Sequence, residues 1–451
     1  MNEAILDKIY NAGVVGAGGA GFPTHKKLAK GAKWLIVNAA ECEPLLQSDI
    51  YICEHFADEL IDTLVQLKQA FEFENVVIGI KKKHHEAVEL LSDAINRNNA
   101  PVAIHLLDSV YPTGDEQVLV FEVTGETVPP GGIPIQIGAV VVNNTTVYNI
   151  GQALKDKPVT QRLVTVTGEV VRPILLNVPV GTSVAECIRM AGGSRLDRYM
   201  FIMGGPMMGK QYTYAQTEDV HITKTDGGII VLPIDHYLRT FLEKPLENVA
   251  LQARTTCIQC RFCTDMCPRY LIGHHMRPHL VMRSLGTNVS VEDMTDAMLC
   301  CECGICELYA CPMQLSPRQV NIMMKKKLRE KGLKGDSNVY KEQIEAREYR
   351  QIPQKRLVYR LGLEDYDKHI ERYEVCNPQR VSIPLRQGIG RPSECTVKVG
   401  DKVKSGDLIG KVSIDDMGAN VHASLDGVVE YVGTEVVICS EKFHMKGGDG
   451  I

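Results

Sequence analysis

The chain has 451 residues, 44% hydrophobic and 23% charged, with a formal net charge of -5. That is globular composition with room for three or four domains, and the acidic balance argues against a broad nucleic-acid footprint. No apolar run approaches a membrane span, and Met1-Asn2-Glu3-Ala4 lacks the basic start and apolar stretch of a signal peptide, so a cytoplasmic protein without a membrane span is expected.

Residues 1–155 are predicted to alternate strand and helix. A glycine-rich segment, 13–21, leads into a helix from Thr24, and Trp34-Leu35-Ile36-Val37 is a short apolar strand. Residues 54–71 carry apolar side chains at helical spacing, 76–80 are a buried-strand run, 84–98 a helix and 102–107 a strand. This alternation predicts a layered α/β domain with a parallel sheet, whose ligands sit beyond the carboxyl ends of the strands. Segments 38–43 and 111–116 both follow predicted strands and are expected at one pocket. Residues 156–240 are predicted as a small α+β unit, with strands at 163–170 and 177–181, a helix at 183–191 and a glycine loop at 204–209. Residues 241–335 hold the cysteine runs among helices. The charged stretch 340–374 is predicted as a helical or irregular connector. From 380 onward, short strands and turns such as Val399-Gly400-Asp401-Lys402 predict a compact β-barrel or sandwich.

Nine of the fifteen cysteines fall between Cys257 and Cys311, which points to metal rather than disulfides in a large chain without a signal. Cys257-x2-Cys260-x2-Cys263-x3-Cys267-Pro268 has the bacterial ferredoxin spacing. Cys300-x2-Cys303-x2-Cys306-x4-Cys311-Pro312 repeats it with one extra residue. In this spacing the fourth cysteine reaches the other cluster. Cys257, Cys260, Cys263 and Cys311 are therefore assigned to one [4Fe–4S] cluster, and Cys267, Cys300, Cys303 and Cys306 to the other. Cys301 stands as the alternative to Cys300. Zinc modules bring together two separated Cys-x-x-Cys knuckles, which these longer runs match poorly. The other cysteines, Cys42 among them, read as ordinary thiols. Arg254, Arg261 and Arg269 flank the first run, where they either raise the cluster potential or solvate the loop. His274 and His275 read as surface or helix residues.

The run Gly16-Ala17-Gly18-Gly19-Ala20-Gly21-Phe22-Pro23-Thr24, with Lys27 beyond it, is a turn whose N–H groups can approach phosphate ahead of a helix N-terminus. It resembles the flavin-binding loop of the NADH-oxidising subunit of respiratory complex I and of the RnfC component of the Rnf electron-transport complex. Asn38 to Pro44, Tyr111 to Glu116 and Asn143-Asn144-Thr145 resemble the further flavin motifs of those families. The resemblance implies that Gly16, Gly18, Gly19 and Lys27 contact FMN phosphate or ribityl, and that Asn38, Glu41, Asn143, Asn144 and Thr145 line the flavin. It places Phe22, Glu43, Asp115 and Glu116 toward the NADH. Ala40 stands where the complex I motif has an acid.

The domain order is similar to that of the cobalamin reductase family of propanediol-utilisation microcompartments. It implies a Rossmann-like FMN/NADH domain at 1–155, a β-grasp (SLBB-like) domain at 156–240 and a helical, ferredoxin-like two-cluster domain at 241–335. A connector at 336–379 and an all-β, lipoyl-like barrel-sandwich domain at 380–451 follow. The barrel tip, Asp415 to Ala419, lacks the modified lysine of lipoyl domains. By this resemblance NADH gives a hydride to FMN, which passes single electrons through the clusters to a corrinoid. The implied partners are NADH, the corrinoid or a corrinoid-handling adenosyltransferase, and a microcompartment shell protein. The implied location is the cytoplasm, within or attached to the microcompartment. An Rnf-type component exchanging electrons between NADH and ferredoxin or quinone is the alternative.

Overall fold

The computed structural model describes residues 2–28, 31–285, 290–335 and 344–441. The beginning of the predicted connector, at 336–343, and the last ten residues of the predicted barrel domain lie outside the described residues. Strands β1 (Trp34–Ala39), β2 (Asn75–Lys81) and β3 (Ala103–Leu107) are followed by a two-residue strand β4 (Val110–Tyr111) and by β5 (Ala139–Asn143). Four of these form a parallel sheet in the order β3-β2-β1-β5. Strands β1, β2 and β5 read as near-continuous apolar runs and are buried almost throughout, as a parallel sheet covered on both faces requires. The chain builds outward from β1 on one side and returns to its other side with β5. The crevice at this reversal lies beyond Asn38 and Asn143, which are register partners.

The predicted helix 54–71 is divided. The helix Ser48–His55 stops at Phe56, whose backbone is non-helical and whose ring packs 4.7 Å from Tyr148. The next helix, Ala57–Phe71, buries Leu60, Ile61, Leu64 and Leu67 on one face. The helix predicted from Thr24 is a single turn, Thr24–Lys27, because Leu28 turns extended and enters the core.

The second unit is a six-stranded sheet. It comprises β6 (Gln161–Gly168), β7 (Ile174–Pro179), β8 (Tyr199–Met203), β9 (Lys210–Thr213) and β10 (Gly228–Pro233), with a sixth strand from the connector. That strand, Tyr373–Val375, lies parallel to β7. The connector also pairs Ile352 with Tyr111 and seats Gln354 on buried Lys81, so it is pinned to the first domain. The charged composition hid this: edge positions tolerate alternating polar residues because one face stays in water.

Short helices carry the cysteine runs, and three of them begin with proline at Pro268, Pro278 and Pro317. The last unit has two small sheets, around a core that includes Val381, Ile383, Ile409, Val436 and Ile438. It sits on the start of the chain: Lys224 Nζ bonds the carbonyls of Gly13 and Asn420, each at 2.8 Å, and Ile389 N–H bonds Ala20 O at 2.8 Å. Gly21 has φ +69°, and a Cβ there would stand 2.7 Å from Gly388 Cα, so this contact requires glycine. Among the described residues no helix is long and apolar enough to cross a membrane.

Candidate functional site

A cleft of about 780 Å³ opens at the reversal of the parallel sheet. That volume falls within the range of cofactor pockets. Gly18 and Gly19 line it with Asn38, Glu41, Glu43 and Asn143. A Cβ at Gly18 would stand 2.9 Å from Asn143 Nδ2, so only glycine lets the loop close on β5. The sheet crevice forms one side of the cleft. The second unit supplies another through Met203–Gly205, Lys210 and Arg162, and the last unit supplies Arg386–Ile389.

The floor is a polar network that the sequence reveals only in part. Asp49 accepts from Asn143 Nδ2 and Thr145 Oγ1, each at 2.7 Å, and Glu41 accepts the Asp49 N–H at 2.7 Å. Burial pushes both carboxyls upward, and the Asp49 charge adds to the rise at Glu41. Arg162 offsets them. It is 4% exposed, bonds the carbonyls of Asp226 and Ala17, and leaves Nη1 without a partner among the described residues. Gln387 Nε2 is likewise buried and unpartnered. Two orphaned donors beside a glycine turn fit a phosphate, and the sequence offered no sign of either. Lys81 Nζ, also fully buried, bonds Glu41 O at 2.9 Å. Cys42, expected as an ordinary thiol, lines the cleft; burial raises its pKa to about 11.

Several predicted site residues lie off the cleft wall. Gly16 closes the glycine turn by bonding Phe22 O at 2.9 Å. Asn144 and Thr145 stand behind the wall, bonded to Asp49 and, for Asn144, to Cys53. Lys27 pairs with Glu116 at 2.5 Å, which joins a residue expected at flavin to one expected at nucleotide. Asp115 caps the helix Glu116–Thr124 and pairs with Arg269 at 2.9 Å. Phe22 is half-buried outside the lining. Glu43 is on the wall: it accepts the Met207 N–H at 2.9 Å, and Tyr111 Oη lies 3.3 Å from it. Burial pushes its carboxyl up to about 7.

The thiols gather in two places. Cys257, Cys260, Cys263 and Cys311 ring one small cavity. Cys267 neighbours Cys300 and Cys301, and Cys306 neighbours Cys300 and Cys267. Among the described residues no three His, Cys, Asp or Glu side chains converge as a single ion needs. All-thiol donor sets spread around a larger centre fit a cubane. The two loops share one backbone pattern. Gln259 and Arg261 have positive φ in the first, Glu302 and Gly304 in the second, and a one-turn helix follows each. This register matches Cys300 to Cys257 and Cys301 to Ile258. The Cys301 sulfur instead meets Cys303 and Arg269. Arg269 thus lies half-buried between the loops, whereas Arg254 and Arg261 are exposed. His274 corrects its expectation as a surface or helix residue: it is 1% exposed and bonds the Val128 carbonyl. His275 is half-buried.

Four families match successive parts of the chain: the Nuo51 FMN-binding domain at 9–152, the SLBB domain at 163–211, the 4Fe-4S dicluster domain at 256–316 and the RnfC barrel sandwich hybrid domain at 365–445. The cobalamin reductase PduS of Citrobacter freundii is 39% identical over 434 residues, 95% of either chain. That of Salmonella typhimurium is 38% identical over 96% of either chain. A component of the ion-translocating oxidoreductase complex of Salmonella arizonae is 33% identical over 61% of this chain and 39% of its own. In structure, a chain of the NAD+-reducing [NiFe]-hydrogenase in the H2-reduced state aligns with TM-score 0.50 at 20% identity, over 74% of this chain and 64% of that one. That likeness shows the fold alone.

Proposed function

The chain belongs to the PduS cobalamin reductase family, and on that premise we propose that it takes electrons from NADH and delivers them to the cobalt of a corrinoid. It is an oxidoreductase with an FMN-binding domain and a 4Fe-4S dicluster domain. When bound, FMN accepts a hydride and gives up its two electrons singly, and the clusters carry one electron each.

The protein's part is placement. The glycine turn, Arg162 Nη1 and Gln387 Nε2 present donors for the flavin phosphate. Asn38 and Asn143, side by side at the ends of β1 and β5, line the cleft while their amides tie down Gly114 and Asp49. Glu43, held by Met207 and Tyr111, stands at the wall that the nicotinamide approaches. The Arg386–Ile389 loop packs on the glycine turn through the Ile389 N–H to Ala20 carbonyl bond. The set Cys267, Cys300, Cys303, Cys306 lies on the cleft side, next to Tyr111. Cys306 neighbours Cys263 of the other set, and that set reaches the surface at exposed Cys260. The order is therefore cleft, inner thiols, outer thiols, solvent.

One observation carries the reading: the wall of the cleft and the inner cysteine loop are joined through Tyr111. A corrinoid, or an adenosyltransferase presenting one, meets the chain at the outer thiols. The location that follows is the cytoplasm, within or attached to a microcompartment through a shell protein. The test is stopped-flow oxidation of the NADH-reduced protein by a corrinoid, a quinone and a ferredoxin. Corrinoid reduction within turnover time supports the reading. Oxidation by ferredoxin or quinone alone overturns it in favour of an Rnf-type role.

A further inference from the structure

A cavity of about 250 Å³ opens beside the outer thiols, apart from the cleft of the flavin domain. Arg261, Arg277, His275 and His279 line it together with Tyr270 and His274. Arg261 and His279 also line the cage of Cys257, Cys260, Cys263 and Cys311, so a shared wall separates cavity from thiols. The carboxylates that pair with the arginines are Asp265, 3.6 Å from Arg261, and Asp296, 2.6 Å from Arg277 Nε; neither lines the cavity. The cavity therefore faces a ligand with cationic donors.

It also presents one buried acceptor. His274 is 1% exposed, and its Nε2 meets the Val128 carbonyl at 2.9 Å, which places the proton on Nε2. Burial holds this imidazole near pKa 4, so it is neutral, and Nδ1 keeps a lone pair with no partner among the described residues. Cationic donors beside a neutral acceptor complement an anionic oxygen group flanked by a hydroxyl or an amide N–H. The space suits a ribose phosphate and is too small for a corrin ring.

Resting on the reductase reading, we propose that this cavity seats the phosphodiester-ribose arm of the corrinoid, so that the acceptor is anchored against the outer cluster. The experiment uses the full-length, cofactor-loaded protein with cobalamin, which carries that arm, and cobinamide, which lacks it. The expected KM for cobalamin lies about tenfold below that for cobinamide, the weight of one charge-assisted contact. Arg277→Gln raises the KM for cobalamin alone and leaves NADH-to-dye turnover and iron content unchanged. His275→Gln, away from the Asp296 pair, does the same on a smaller scale and separates the effect from misfolding. Calorimetric titration with inorganic phosphate gives binding that Arg277→Gln weakens.

Equal KM values for the two corrinoids overturn the arm subsite while leaving the reductase intact. If phosphate still binds in that case, the cavity belongs to free phosphate. Failure to reduce either corrinoid overturns the reductase reading itself, and with it the arm subsite.

Discussion

The hydroxyl of Tyr111 donates to the carbonyl oxygen of Cys303 at 2.9 Å. Its other neighbour, Glu43, lines the cleft 3.3 Å away, so one buried side chain spans from the cleft wall to the loop of the inner thiols.

Removing that hydroxyl strands a buried carbonyl. Tyr111→Phe is expected to destabilise the protein by about 1 kcal/mol. It should also slow electron delivery to a corrinoid more than NADH-to-dye turnover at the flavin. Stopped-flow traces at the flavin and cluster wavelengths separate the two; equal slowing of both reactions would contradict the bridging role.

The repeated loop backbone matches Cys300 to Cys257, while the Cys301 sulfur meets Cys303, and on the backbone register we propose Cys300 as the ligand. Cys300→Ser should lower iron and sulfide to one cubane, whereas Cys301→Ser should keep both. Cys260→Ser should remove the outer cluster and spare NADH-to-dye activity. Iron analysis and electron paramagnetic resonance of the reduced proteins read each result, and a full complement in Cys300→Ser would refute the register.

Arg162 lines the cleft, leaves Nη1 without a partner among the described residues, and its charge offsets Asp49 and Glu41. Arg162→Gln should weaken FMN binding by about tenfold or more, the weight of one charge-assisted hydrogen bond. Arg162→Lys, which keeps the charge for the acids, should fold normally and still bind FMN weakly. Flavin fluorescence titration measures both, and wild-type affinity in the lysine variant would show that only the charge matters.

Glu43 gives a pH signature. Burial raises its carboxyl to about 7 in the folded protein, from an ordinary value of 4.5. Between these values the folded state binds more protons than the unfolded one. The stabilisation is complete below the unfolded value and is lost as pH rises through the folded one. The melting temperature of the wild type relative to Glu43→Gln should therefore fall between about pH 5 and about pH 8. A difference flat across that interval would rule out the protonated Glu43.

Much of this protein was legible in its sequence because the deciding chemistry is local. Thiols two residues apart before a proline can wrap a cubane with little help from the rest of the chain, so the spacing alone proposes two sets. Gly18 and the strand-end asparagines were visible for the same reason: a turn and the strand beside it are written in adjacent residues. The buried apolar runs of β1 and β2 likewise announced a parallel sheet. The continuous helix predicted over 54–71 failed because no residue near Phe56 signals a break; there the Phe56 ring packs against Tyr148 across the fold.

Only the tertiary structure decided which charges meet. Asp115 and Glu116 read as nucleotide-facing acids, and the fold pairs them with Arg269 and Lys27, 154 and 89 residues away. Arg162 and Gln387 reach the cleft from other domains, the first bonding Ala17 across 145 residues. Spacing could sort the cysteines into sets, but not say which set faces the flavin domain. That order is fixed by Tyr111 meeting Cys303, a contact made when separately folded units close on one another and bury polar groups that must then find partners.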